Sequence, residues 1–147
     1  MENNQTYLNN EVSIFPNCKT AVPPEVFTIG VLLELIREGY FSKEVKKYRA
    51  LLKSDPQKAR SFKSGFMVAI TFAGVFIKRN KEGLITPSGI IVLDIDDVPT
   101  EKFEKLKTSL LKDKHTLAVM PSPGGQGLKV LVRMHFGHGE ETYKYRY

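Results

Sequence analysis

The stretch Gly89-Ile90-Ile91-Val92-Leu93-Asp94-Ile95-Asp96-Asp97 decides how this sequence is read. A short run rich in β-branched residues has the pattern of a strand buried on both faces, and here it leads straight into carboxylates. Side chains alternate along a strand, so Ile90, Val92, Asp94 and Asp96 share one face and Ile91, Leu93 and Ile95 the other. The Asp94 and Asp96 β-carbons are then about 7 Å apart on one side of the sheet. Such a pair can ligate one hard divalent cation or bracket two, and the cation offsets their mutual repulsion and desolvation. The alternative is that Asp96 and Asp97 end the strand in solvent and help cap the next helix.

A second constellation follows in Ser122-Pro123-Gly124-Gly125-Gln126-Gly127-Leu128-Lys129. Its three glycines allow backbone N–H groups to approach a phosphate, and Lys129 adds a positive charge at the start of the next strand. It is not a Walker A loop, because the lysine does not directly follow the last glycine and Val130 stands where a Ser or Thr would bind magnesium. Along that strand Lys129, Leu131 and Arg133 share one face, and Leu128, Val130, Val132 and Met134 the apolar one. If the two strands are neighbours, acids and bases converge on one sheet face, with metal on the acids and phosphate on the bases. The competing reading is a glycine-rich hairpin in which Lys129 forms a salt bridge to Asp94 or Asp96.

The 147 residues suit a single domain spanning 1–147. Hydrophobic residues at 41% and charged residues at 26% are ordinary for a soluble globular chain, which sets aside fibrous and disordered classes. A formal net charge of +6 biases the chain toward polyanionic partners. Cys18 is the only cysteine, which excludes an intrachain disulfide and a cysteine-based zinc cluster. No apolar run is long enough for a membrane span, and Met1-Glu2-Asn3-Asn4-Gln5 is not a secretory signal, so the expectation is a cytoplasmic protein with no membrane partner.

Along the chain, the polar residues to Asn10 read as a loose end and Val12 to Phe15 as a short strand stopped by Pro16-Asn17. Thr20 to Pro24 reads as an extended connector. Ile29, Leu32, Leu33 and Ile36 repeat at helical spacing before Gly39. Ser42 is placed to cap a second helix with the apolar stripe Val45, Tyr48 and Leu52, ending near Ser54-Asp55-Pro56. Phe66 to Phe76 reads as one strand bent at Gly74, followed by a charged turn from Lys78 to Gly83. Thr100 is placed to cap a third helix, whose buried stripe is Phe103, Leu106, Leu110 and Leu111. Strands are expected over His115 to Met120 and Leu128 to Met134. The implied class is α+β: a central mixed or antiparallel sheet with helices on one side and an N-terminal helical part.

The second helix and its exit carry Lys43, Lys46, Lys47, Arg49, Lys53, Lys58, Arg60 and Lys63 against only Glu44 and Asp55. This cluster either tracks a nucleic-acid backbone, with Lys46, Lys47 and Arg49 as its centre, or forms a solvated helix face. His135 and His138 lack a third matched metal ligand, and Cys18 has only Lys19 beside it to activate a thiolate.

The segments Ala69–Phe76, Ser88–Asp96 and Ser122–Val130, in this order and spacing, resemble the N-terminal domain of VirE-like proteins of bacterial mobile elements, a divergent branch of the archaeo-eukaryotic primase (primase-polymerase) superfamily. The resemblance spans Val12 to Met134. It implies an RRM-like primase-polymerase core, metal binding (Mg2+ or Mn2+) and catalysis by Asp94 and Asp96, and nucleotide phosphate binding by Ser122, Gly125, Gly127 and Lys129, with Arg133 further along that strand. Lys129 stands where the superfamily usually has histidine, and the customary third acid is missing or displaced, since beyond Met134 the sole acids are Glu140 and Glu141 and no apolar strand leads into them. The resemblance further implies the N-terminal part of a longer protein, with single-stranded DNA or primer-template, nucleoside triphosphates and a fused or associated helicase as partners.

Three functions are therefore in view. The first is a metal-dependent nucleotidyltransferase acting in replication of a mobile element by two-metal phosphoryl transfer. The second is a non-catalytic nucleic-acid-binding module derived from that fold. The third, a phosphatase with an aspartyl nucleophile, needs a later lysine and a further acidic pair for which too little chain follows.

Overall fold

A computed structural model describes residues 4–20 and 24–134. Thirteen regular elements are found among them: α1 (Asn4–Asn9), β1 (Glu11–Phe15), β2 (Glu25–Thr28), α2 (Ile29–Arg37), α3 (Ser42–Ser54), α4 (Pro56–Phe66), β3 (Ala69–Thr71), β4 (Gly74–Phe76), β5 (Leu84–Pro87), β6 (Ile90–Ile95), α5 (Thr100–Leu111), β7 (Thr116–Pro121) and β8 (Leu128–Arg133). The fold is α+β. Its strands form three small antiparallel sheets, ordered β2-β1-β3, β4-β5 and β6-β8-β7.

Local chemistry explains most element boundaries. The Thr28 side chain accepts from the Val31 N–H and caps α2. Asp55 caps α4 by accepting from the Lys58 N–H at 3.0 Å, and Pro56 occupies the first helical position, where its missing N–H costs nothing. Ser42 and Thr100, expected as caps, are instead the first residues of α3 and α5, and neither helix has a side-chain cap. Residues 4–9 are helical rather than loose, because Tyr7 is buried and its hydroxyl donates to the Met134 carbonyl at 3.1 Å. The strand expected over Phe66 to Phe76 is three pieces: the end of α4, then β3, then β4 in a different sheet. The bend at Phe72-Ala73 separates them. Of the connector Thr20 to Pro24, residues 21–23 lie outside the described residues, as do His135, His138, Glu140 and Glu141.

Two buried serines join the sheets. Ser13 Oγ of β1 accepts from the Phe76 N–H at 2.9 Å, tying the first sheet to the second. Ser88 Oγ donates to the Phe72 carbonyl and accepts from the Ile90 N–H at 3.1 Å, tying the second to the third. Such fully partnered hydroxyls remove the penalty of burying polar atoms at the seams.

The main core gathers Tyr7, Val12, Ile14, Ile29, Leu32, Phe72, Ile90 and Leu131, with Val92, Ala118 and Met120 packed at its margin. In the third sheet β6 and β7 run parallel to each other, with β8 inserted antiparallel between them. Helix α5 is the crossover from β6 to β7 and packs on β7. The register pairs Ile90 with Arg133, Val92 with Leu131 and Asp94 with Lys129. That face meets the N-terminal elements through Ile90, Val92 and Leu131, so α5 and the fully buried Val130 belong to the opposite face.

Strand β6 is an edge strand, not one buried on both faces as expected: Leu93 is 48% exposed. The α5 stripe is shallower than its periodicity suggests. Phe103, Leu106 and Leu110 are half-buried, and Leu111 is exposed.

Candidate functional site

Burial falls away along β6, from Ile90 in the core through the half-buried Val92 to the exposed Asp94. The acidic end thus projects beyond the packed region while its backbone stays fixed by the β8 ladder. Asp94 lies directly opposite Lys129, and the two side chains form an ion pair, with 55% of the Asp94 side chain and 31% of the Lys129 side chain exposed. An exposed pair of this kind contributes little to stability. Its consequence is chemical: Lys129 is held within reach of the acid, and Asp94 is neutralised by its own neighbour. Asp96 is exposed and lies one residue beyond the end of β6. The chain then turns sharply at Asp97, whose φ of 52° is the one positive value at a non-glycine residue among those described.

The loop 122–127 closes on itself and against β6. The Ser122 N–H donates to the Gly127 carbonyl at 2.7 Å, and the Gly125 N–H donates to the Ser122 carbonyl at 2.9 Å. These two donors are therefore spent within the loop and do not face a ligand. The Gln126 carbonyl accepts from the Val98 N–H at 2.8 Å, anchoring the segment after the acids. Gly127 has no substitute here, since a β-carbon would stand 2.6 Å from the Ile95 carbonyl oxygen. Gly125 has a φ of 86°, and a β-carbon there would press on the Arg49 guanidinium at 3.2 Å.

Arg49 reaches from α3 to this loop. Its Nε donates to the Pro123 carbonyl at 2.9 Å, and Nη2 donates to the Ser122 carbonyl at 3.4 Å. The residue singled out for phosphate contact thus positions the loop and joins it to the basic helices. Lys46 stays exposed, and the Lys47 ammonium lies 5.0 Å from the centre of the Phe62 ring. Arg133 is four residues from Lys129, about 13 Å along the strand. It bonds to the Asn4 side-chain oxygen and lies 6.0 Å from the Tyr7 ring, so it is separate from the acidic end.

Helices α3 and α4 form an antiparallel hairpin around a small core of their own, Tyr48, Ala59 and Met67. Residues 42–66 hold eight basic and two acidic side chains, while the other fourteen basic and fourteen acidic residues of the chain cancel. The whole net charge of +6 therefore resides in this one hairpin.

Beside the loop is an open cleft of about 520 Å³, between Gly125-Gln126 and the Asp97–Glu104 segment with Phe103. Asp97 and Glu104 make its rim acidic, which suits it poorly to a phosphate. Among the described residues no group of three or more His, Cys, Asp or Glu side chains converges in the manner of a metal cage. The exposed Asp94 and Asp96 are the residues that could hold a partly hydrated hard cation, which needs only one or two protein carboxylates. Among the described residues no helix is long and apolar enough to cross a membrane.

The sequence model of the family described as BT4734-like, N-terminal domain, matches residues 61–145, more than half of the chain. The chain belongs to that family. The matched region begins within α4 and includes the acids of β6, the glycine loop and Lys129, whereas α3 with Arg49 precedes it. No curated protein and no solved structure matches the chain.

The strands are neighbours and Asp94 and Lys129 share a face, as the sequence pattern implies on that condition, and they meet in the salt bridge of the competing reading. Sequence reasoning misses the structural task of Arg49 and the aromatic character of α4. The signal for the latter is Phe62 and Phe66, four residues apart among Lys58, Arg60 and Lys63, masked because Phe66 also opens an apolar run with the pattern of a strand.

Proposed function

We propose that this domain binds nucleic acid along α3–α4 and holds nucleotide phosphates beside the acidic end of β6, as a primase-polymerase-like nucleotidyltransferase would. The observation that carries this reading is the contiguity of the two regions: the hairpin with the chain's entire net charge is hydrogen-bonded through Arg49 to the loop that leads into Lys129. A polyanion on the hairpin would then lie next to a lysine paired with a carboxylate. Asp94 and Asp96 would hold Mg2+ or Mn2+, which would supply Lewis-acid polarisation of a phosphoryl oxygen. Lys129, released from Asp94, would grip the triphosphate, with Ser122, Gly125 and Gly127 shaping the loop around it. The VirE-like resemblance supports the same assignment, with action in mobile-element replication in the cytoplasm alongside a helicase.

The Asp94–Lys129 ion pair favours a second reading, a nucleic-acid-binding module without catalysis, because the acid is already neutralised. Calorimetric titration of Mn2+ separates the two. The catalytic reading expects binding that Asp94→Asn with Asp96→Asn abolishes and that Lys129→Met strengthens by removing the competing cation. Equal heats for all three proteins would overturn it, as would failure of the wild type to extend a primer with Mn2+ and nucleoside triphosphates.

A further inference from the structure

Phe66 in the last turn of α4 is 69% exposed, although a phenylalanine at helical spacing from an apolar neighbour ordinarily turns inward. It stacks on Phe62, with ring centroids 5.4 Å apart and planes 18° from parallel. Phe62 is in turn packed against the hairpin core, and the Lys47 ammonium lies over its ring. The inner ring is thereby fixed on two sides while the outer one meets solvent. Beside it, a β-carbon built on Gly65 would touch nothing within 4 Å, so the surface around the outer ring is open. The Lys47–Phe62 and Lys63–Tyr48 contacts accord with α3 running antiparallel to α4, and they bring Lys47, from a stretch that also holds Lys43 and Lys46, to the inner ring.

We infer that Phe62 and Phe66 form a base-stacking ledge, and that the partner of the hairpin is single-stranded nucleic acid with unpaired bases. The inference rests on the nucleic-acid reading above and adds to it the two side chains that would tell a single strand from a duplex. Lysines alone do not distinguish a single strand from a duplex, because both offer phosphates. A flat, exposed ring among those lysines does, since only an unstacked base can present its face to it. Charge complementarity favours this occupant over an apolar protein segment, which would leave the hairpin's net charge of +6 without counterions.

The chain has no tryptophan, so Phe66→Trp supplies a single indole reporter at the outer position. Its emission should be quenched by a thymidine oligonucleotide and not by inorganic polyphosphate, which offers charge without bases. Phe66→Ala should bind that oligonucleotide about tenfold or more weakly while duplex affinity changes by no more than about twofold. As Phe66 is largely exposed, neither variant disturbs the core. Single-strand binding without quenching, and unchanged in Phe66→Ala, would overturn the ledge and leave the electrostatic reading standing. Absence of salt-dependent binding to either form of DNA would overturn both. A dimer in sedimentation velocity that Phe66→Ala dissolves would assign the ledge to a second copy and overturn it as well.

Discussion

The third sheet and the α3–α4 hairpin solve opposite problems. The sheet fixes individual atoms: β6 is registered to β8 residue by residue, with Ile90 and Leu131 in the main core, so Asp94 and Lys129 meet at one point. The hairpin fixes almost nothing so finely. It has a small private core and spreads its cations over two helices, which suits a partner whose charge repeats along its length. A site for chemistry needs the first kind of order and a surface for a polymer the second. Arg49 is a junction between them.

The largest effect should come from the sheet side of this contrast. Leu131→Ala removes a fully buried side chain from the main core and should cost about 2–5 kcal/mol, read as a lower urea midpoint. A cost under about 1 kcal/mol would show that the sheet is not rigidly backed. Gly127→Ala should come next, since its β-carbon and the Ile95 carbonyl must move apart, at about 1–3 kcal/mol. On the hairpin side, Lys46→Glu with Lys47→Glu should leave the urea midpoint nearly unchanged. It should weaken DNA binding regardless of base sequence and flatten the dependence of log affinity on log salt. If the melting curve shifts instead, these lysines belong to the structure and the contrast fails. Arg49→Ala should act on the junction alone, leaving global stability within about 1 kcal/mol while amide exchange in the 122–127 loop accelerates.

The smallest effect concerns acid. Asp55 has its carboxyl held below the ordinary carboxylate value, chiefly by the hydrogen bond from the Lys58 N–H and further by the Lys58 side chain. A depressed pKa means stabilisation that is fully present above the unfolded value and is lost as pH falls through the folded one. Helix α4 should therefore loosen slightly in strong acid. Asp55→Asn keeps a capping oxygen but cannot titrate, so its melting temperature should lose that part of the acid dependence.

How much could be read beforehand follows from these same interactions. Helices α2, α3 and α5 and strands β1, β6 and β8 have apolar periodicity that speaks for itself. Helix α4 does not, because Pro56 reads as a stop where it is a start, with Asp55 before it as cap. Strands β2 and β5 are short and largely exposed or half-buried, leaving no alternation to detect. Helix α1 depends on Tyr7 finding Met134, a contact no local window contains. At the site, the alternation of β6 and β8 was enough to put Asp94 and Lys129 on one face, whereas the Arg49 bonds cross 73 and 74 positions of chain.

The distant closure between Tyr7 and Met134 also bears on how the protein is made. Strand β1 leaves the ribosome more than fifty residues before its neighbour β3, and the sheet that completes its core follows later still. Val12 and Ile14 gain Ile29 and Leu32 early but must wait for Phe72, Ile90 and Leu131 to complete their core. The hairpin, whose contacts are local, can fold in that interval. The order of synthesis thus favours the charged surface before the acidic edge, leaving β1 in need of shielding meanwhile.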